Sequence, residues 1–292
     1  MSTCRLALCQ LLPGKDKAAN LAAARAAISE AAASGANIVA LPEVFNSPYA
    51  TDQFPVYAEA IPATAAALDA AVHPSTCMLS AAAAAHGIYL VGGSIPERDA
   101  ATGRVYNTCV AFGPDGGIVA KHRKMHLFDI DIPGRITFRE SDTLSAGDAL
   151  ATFDTPHGRV GLGICYDIRF PLLAMLLRAA GCSILIYPGA FNMTTGPAHW
   201  ELLQRARAVD TQCYVAAVSV ARNPTGEGYQ AWGHSTVVNP WGEVVATTGE
   251  APGMVVAELD MARVGAVRDQ VPVSKQLRTD LYALEWKGAA GP

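Results

Sequence analysis

In Gly161-Leu162-Gly163-Ile164-Cys165-Tyr166-Asp167-Ile168-Arg169-Phe170-Pro171 an apolar stretch with two glycines delivers a cysteine to a strand end, just before a proline able to open a helix. A sharp strand-to-helix turn lifts a side chain out of a sheet. Backbone N–H groups beside it can hold an oxyanion, which is the geometry of acyl transfer through a thiol nucleophile. A buried cysteine on its own is usually just a small hydrophobe, so this reading rests on its companions. Leu41-Pro42-Glu43-Val44-Phe45 sets a carboxylate directly after a short apolar run. Apolar neighbours raise a carboxyl pKa towards the range useful for exchanging protons near neutral pH; a solvated loop glutamate is the commoner alternative. Lys121-His122-Arg123-Lys124-Met125-His126-Leu127-Phe128 is a basic cluster at a strand end. Such clusters are mostly solvated faces, and His122 with His126 would make a metal pair only on a helix; with no accompanying carboxylate motif, metal chemistry is not expected. Gly92-Gly93-Ser94-Ile95-Pro96 approaches a serine-nucleophile motif but lacks its last glycine, which disfavours a serine hydrolase.

These groups need a frame, and periodicity supplies one. A strand over 5–12, an Ala-rich helix over 17–33 ended by Ser34-Gly35 and a strand over 37–41 make a β-α-β opening. A helix over 75–85, closing at His86-Gly87, leads to a strand over 88–91, and residues 106–112 and 118–122 flank a Gly-rich reversal that predicts a hairpin. Farther on come a strand over 159–164, a helix over 171–180, a strand over 184–187, a helix over 197–212 and a strand over 214–220. A second hairpin, 232–239 with 243–248, turns at Pro240-Trp241-Gly242 and is extended by residues 254–259. Strands interleaved with helices, and no break in composition, predict one layered α/β (α+β) domain over 1–292, with its core over about 5–270. The tail, 271–292, has weak periodicity and is expected to pack on a partner subunit. The biased stretch 63–72 reads as a helical insertion.

Composition narrows the function. Among 292 residues, 22 Lys and Arg face 26 Asp and Glu, so the net charge of −4 is opposite in sign to a phosphate-tracking surface and nucleic acid is not an expected partner. The most apolar stretch, 171–191, is broken by Arg178, Gly181, Pro188 and Gly189, so no membrane span is expected; the apolar run at 6–9 is too short for a signal-peptide core. Seven cysteines without a Cys-x-x-Cys spacing give neither a disulfide framework nor a zinc ribbon, and fit the reducing cytoplasm.

Glu43, Lys124 and Cys165, each in its local motif, resemble the Glu-Lys-Cys triad of the nitrilase (carbon–nitrogen hydrolase) superfamily, and the resemblance runs from about residue 5 to 282. Phe45-Asn46-Ser47-Pro48-Tyr49, the stretch from Arg123 to Asp131, Tyr187-Pro188-Gly189-Ala190-Phe191-Asn192 and the stretch from Trp232 to Gly242 are similar to the omega-amidase branch. The deaminated-glutathione amidases share Thr195-Gly196-Pro197-Ala198-His199-Trp200 but differ around Asn-Ser-Pro-Tyr and Phe-Asp-Ile-Asp. One departure is 63–74, which is longer than in that branch and is expected to alter a pocket rim. The resemblance implies a four-layer α-β-β-α sandwich, commonly dimerised across helices, that hydrolyses 2-oxoglutaramate and 2-oxosuccinamate without cofactor or metal. It implies that Glu43 moves protons, that Cys165 attacks the amide carbon, and that Lys124 and the Tyr166 N–H hold the oxyanion. Glu140 matches the family's second glutamate, orienting Lys124 and the substrate amide. Related readings keep the triad but take deaminated glutathione or an N-carbamoyl amine as substrate; a catalytically silent binding module is disfavoured because all four residues are retained. A substrate carrying a distal carboxylate needs a fixed cation, for which Arg169 is the candidate, with a structural role in the turn as its equal alternative. Tyr49, Phe191 and Asn192 are expected pocket walls, although aromatics at strand ends more often belong to the core.

Overall fold

The computed structural model describes residues 3–288. The β-α-β opening forms as its sequence pattern dictates. β1 (Thr3–Gln10) is followed by α1 (Lys17–Ala33), whose first turn is capped by the Asp16 carboxylate accepting from the Ala19 N–H, and then by β2 (Ile38–Ala40). The short α2 (Phe54–Tyr57) precedes α3 (Pro74–His86), which starts on proline and stops at Gly87 with φ 63°. Then come β3 (Tyr89–Val91), β4 (Ile95–Arg98), β5 (Val105–Phe112), β6 (Ile118–Arg123), and a separate hairpin of β7 (Asp129–Ile132) and β8 (Ile136–Arg139). The second half runs β9 (Thr152–Thr155), β10 (Gly158–Leu162), α4 (Pro171–Ala179), β11 (Cys182–Gly189), α5 (Gly196–Thr211), β12 (Tyr214–Ser219), β13 (Thr236–Val238), β14 (Val244–Thr247), β15 (Gly253–Asp260) and α6 (Met261–Gln270).

Two sheets result. The first has the order β15-β1-β2-β3-β5-β4, with β6 also on β5; the second has the order β14-β13-β12-β11-β10-β9. Strand alternation divides the apolar residues between two interfaces. Leu6, Leu8, Ile38 and Ala40 from the first sheet meet Val160, Leu162, Ile184 and Ile186 from the second. Their neighbours Ala7, Cys9, Val39 and Leu41 point the other way, onto Ile28 of α1 and Leu79 of α3. With α4 and α5 on the outer side of the second sheet, the layers are α-β-β-α, the architecture expected from the resemblance.

Three expectations are corrected. Residues 253–260 do not extend the second hairpin: β15 pairs antiparallel with β1 in the other sheet. β1 is buried along nearly its whole length, so the backbone groups on its free side require a ladder partner. Residues 63–72 form no helix; apart from a single 3₁₀ turn at Ala65–Ala67 they are an exposed loop, since a stretch with no apolar face to bury cannot offset the cost of helix nucleation. The strand before Cys165 ends at Leu162, and Cys165–Arg169 coils into a 3₁₀ turn.

The strand ends are held by local clamps. Gly93 has φ 63°, and a Cβ there would sit 2.2 Å from the Pro42 carbonyl oxygen. That close approach lets the Ser94 N–H donate to Pro42 O at 3.2 Å, while the Ser94 hydroxyl accepts from the Val44 N–H at 3.0 Å. The segment carrying Glu43 is thereby fixed on both sides. Gly93→Ala is expected to lower stability by about 2 kcal/mol or more, through left-handed strain plus the clash. Urea denaturation checks this, and a midpoint equal to that of the unaltered protein would contradict it.

Candidate active site

Cys165 stands at φ 46°, a left-handed conformation that costs energy for any side chain with a Cβ and is held by the packing around it. Two glycines make the room: a Cβ at Gly163 would meet the Tyr187 ring at 2.5 Å, and one at Gly189 the Trp200 ring at 3.1 Å. The Tyr166 N–H belongs to the first turn of the 3₁₀ segment, where N–H groups lack an intrahelical acceptor. From the end of β11 the Ala190 N–H donates to Cys165 Sγ at 3.4 Å. Cys165 as a whole is only 4% exposed.

Three more expected residues converge on it. Lys124, just past β6, is fully buried; its Nζ donates to Glu43 Oε1 at 2.9 Å and lies 2.9 and 2.8 Å from the two oxygens of Glu140. Glu43 Oε1 also accepts from Asn107 Nδ2 at 2.8 Å, and the Asn107 carbonyl accepts from the Lys124 N–H, so one β5 residue fixes both partners. Glu43 Oε2 is buried with no firm donor among the described residues, and the Cys165 thiol is near enough to couple to this carboxylate. Glu140, directly after β8, accepts from the Tyr49 hydroxyl at 2.8 Å and the Phe128 N–H at 2.7 Å. Both oxygens of Glu140 are thus committed to hydrogen bonds or to the lysine.

Burial raises the Glu43 pKa above its ordinary value; Lys124 pulls it back and Glu140 pushes it up again, leaving it raised. Burial and then the Glu43 charge push the Cys165 thiol well above its ordinary value, against the pull of Lys124 and the Ala190 N–H. Burial also opposes the charge on Lys124, but Glu140 and Glu43 outweigh it and raise that pKa. The outcome is a Lys124–Glu140 ion pair beside a Glu43–Cys165 couple in which carboxylate and thiol, both held above their ordinary values, compete for a proton. A proton poised between a carboxylate and a thiol is what acid–base handling of a sulfur nucleophile requires.

The remaining candidates are placed less uniformly. Arg169 is half-buried, its Cζ lies 4.7 Å from the Phe191 ring centroid, and its Nη1 meets His199 Nδ1 at 3.2 Å. Among the described residues it has no carboxylate partner. Asn192 is buried; its Oδ1 accepts from the Thr194 and Thr195 N–H groups and the Thr195 hydroxyl, which leaves Nδ2 unpartnered among the described residues. Tyr49 does more than wall a pocket: its ring packs against Phe138 and Tyr229 while its hydroxyl holds Glu140. A cavity of about 670 Å³ is lined by Tyr49 and Tyr229 together with Pro48, Gln53, Asn223 and Ala231, and Cys165 does not line it. Residues 63–72 are an exposed stretch between α2 and α3 and are not among the residues lining this cavity. Sequence reasoning passed over Asn107 and the Ala190 N–H, and met Ser94 only as a disfavoured nucleophile. It also passed over Asp167, whose carboxylate is held by His122 and His126 of the basic cluster. A buried-strand asparagine and an aspartate two residues from the cysteine were the available signals.

Residues 5–269 match the family model described as carbon-nitrogen hydrolase. The chain is 56% identical to the omega-amidase NIT2 of Mus musculus over 287 residues, covering 98% of this chain and 99% of that one, and shows the same identity and coverage with the omega-amidase NIT2 of Homo sapiens. Its fold is similar to the crystal structure of Saccharomyces cerevisiae Nit3, a member of branch 10 of the nitrilase superfamily, with TM-score 0.85 and 46% identity over 94% of this chain and 97% of that one.

The shared proton sets a pH dependence. As pH falls, the Glu43–Cys165 couple takes up its second proton at a pH above the ordinary 4.5 of a glutamate, because the Glu43 pKa is raised. The rate of Cys165 alkylation by iodoacetamide is therefore expected to have an acid midpoint above 4.5, and Glu43→Gln is expected to remove that limb. A midpoint at or below the ordinary value would separate the carboxylate from the thiol.

Proposed function

The chain belongs to the carbon–nitrogen hydrolase family, and from that premise we propose that it is an omega-amidase, releasing ammonia from the terminal amide of 2-oxoglutaramate or 2-oxosuccinamate. The observation that carries the reading is the buried set of Cys165, Glu43, Lys124 and Glu140, which has the groups an amide needs and encloses them away from bulk water. Near full-length similarity to omega-amidases supports the substrate class.

In this mechanism Glu43 Oε2 takes the thiol proton as Sγ attacks the amide carbon. The resulting oxyanion is held by Lys124 Nζ and the Tyr166 N–H. Lys124 carries a full charge in a dry site, where such stabilisation is stronger than in water. Collapse breaks the C–N bond; ammonia leaves with the proton from Glu43, and a thioester remains on Cys165. Glu43 then accepts a proton from water, whose oxygen attacks the thioester; the acid departs and the proton returns to sulfur. Glu140 keeps Lys124 in place throughout. Arg169, which has no carboxylate partner among the described residues, receives the distal carboxylate of the substrate, with Phe191 against its face and Asn192 and Tyr49 nearby.

The same reading includes a cytoplasmic homodimer. Leu172 of α4 and Leu202 and Val209 of α5 are exposed on the outer helix layer, an apolar surface suited to a second copy. The tail past α6 holds no regular element up to residue 288 and carries exposed Leu281 and Tyr282, and it extends that interface; residues 289–292 lie outside the described residues.

Purified protein is expected to release ammonia from 2-oxoglutaramate in preference to glutamine, deaminated glutathione and an N-carbamoyl amine. Cys165→Ala should reduce the rate by roughly a thousandfold or more while the far-ultraviolet spectrum stays unchanged. Preferential turnover of another amide would discard the substrate assignment, and residual activity within a few-fold of the unaltered enzyme would discard the nucleophile. Arg169→Lys is expected to raise KM for 2-oxoglutaramate about tenfold with kcat little changed, since an ammonium cannot make the two-pronged contact. Unchanged kinetics would make Arg169 a part of the turn only.

A further inference from the structure

Lys124 and Cys165 come from opposite sheets, one just past β6 and the other just past β10, and no strand pairing joins those two strands. Among the described residues, the hydrogen bonds linking residues 121–128 to residues 163–170 all end on Asp167. Its Oδ1 accepts from the His126 N–H at 3.0 Å and faces His126 Nδ1 at 2.8 Å. Its Oδ2 accepts from the Ile164 N–H and faces His122 Nε2, both at 2.9 Å. The two histidines stand two residues before and two residues after Lys124, and Ile164 immediately precedes Cys165. We propose that Asp167 is a positioning residue that fixes the nucleophile turn against the lysine segment and so sets where Lys124 Nζ meets the oxyanion formed at Cys165.

Two features make the carboxylate, and not merely a polar side chain, the requirement. Four donor groups converge on two oxygens in a fully enclosed place, and only an ionised carboxylate accepts on both sides at once. Burial disfavours that charge, yet His122, His126 and the Ile164 N–H outweigh it and keep the acid well below the usual carboxylate range. An asparagine would turn its NH₂ towards two of the donors whichever way it was flipped. The stacked rings of His126 and Phe170, 3.6 Å apart, add area to the same junction but no direction. A displacement of about 1 Å between catalytic groups costs on the order of a hundredfold in rate, so a hinge this close to both has leverage over turnover.

The proposal rests on Cys165 as the nucleophile, and its test is built to fail separately from the substrate assignment. In the full chain with Asp167→Asn, iodoacetamide alkylation is followed on the peptide carrying Cys165, which needs no substrate, alongside kcat and KM for 2-oxoglutaramate per titratable thiol. Both the alkylation rate and kcat are expected to fall at least about tenfold with KM within about threefold of the unaltered enzyme. A role confined to stability would lower the number of competent molecules but leave the rate per competent thiol within about twofold, and that result overturns the proposal. Should Asp167→Asn not fold, His126→Ala removes the Nδ1 contact from the half-buried side: a kcat loss of about threefold or more at unchanged KM upholds it, and an unchanged kcat overturns it. If the unaltered chain releases no ammonia from 2-oxoglutaramate, the omega-amidase reading fails while the alkylation comparison still decides the role of Asp167.

Discussion

A lysine with no exposure to water is the constraint around which this molecule is arranged. An isolated ammonium in a protein interior costs several kcal/mol, so Lys124 is tenable only with carboxylates at contact distance and with those carboxylates held in turn. Glu43 arrives from the end of β2, Glu140 from the far end of the β7–β8 hairpin, and each is tied down by further donors: Asn107 on one, Tyr49 and the Phe128 N–H on the other. Losing Glu140 would take the ion-pair partner from a buried ammonium. Because Glu140 is committed to Lys124, Glu43 and Cys165 are left to compete for a proton beside one cation. That shared proton, more than any single residue, is the chemically active element.

The layered fold explains how such a cluster can be assembled from distant parts of the chain. Parallel strands in each sheet end on the same side, so the turns after β2, β10 and β11 gather there, each leaving its sheet through a glycine or a left-handed residue. The inter-sheet core of Leu, Ile and Val keeps the two sheets in register, but dispersion and burial are non-directional. Direction at the seam comes from a few polar groups, among them the Asp167 carboxylate between the two catalytic turns and the Gln10 amide between β1 and the segment before β13.

Much of this was legible in the sequence, and the legible parts share a cause. The helices over 17–33 and 171–180 and the glycine-flanked strand before Cys165 are local patterns, written in consecutive residues. The candidate triad was visible because each member sits in its own local motif. What escaped depends on contacts between residues far apart in the chain. That β15 would close onto β1 follows from which buried strand lacks a partner, a property of the assembled sheet. Asn107 reads as one more polar residue in an apolar strand until Glu43 is 2.8 Å away. Sequence assigns no role to His122 and His126 because it shows their spacing and hides the aspartate they share. The loop over 63–72 misled for a different reason, since alanine has high helical propensity but nothing at that surface rewards it.

The two acids flanking Lys124 bear on how a catalytic cycle ends. An amide nitrogen enters beside Glu43 and Glu140 as a neutral group, whereas hydrolysis leaves a carboxylate in the same space. One cation then faces three anions in a medium that screens poorly, and the balance that favoured the reactant turns against the acid. In the proposed reaction this change of charge opposes retention of the acid product.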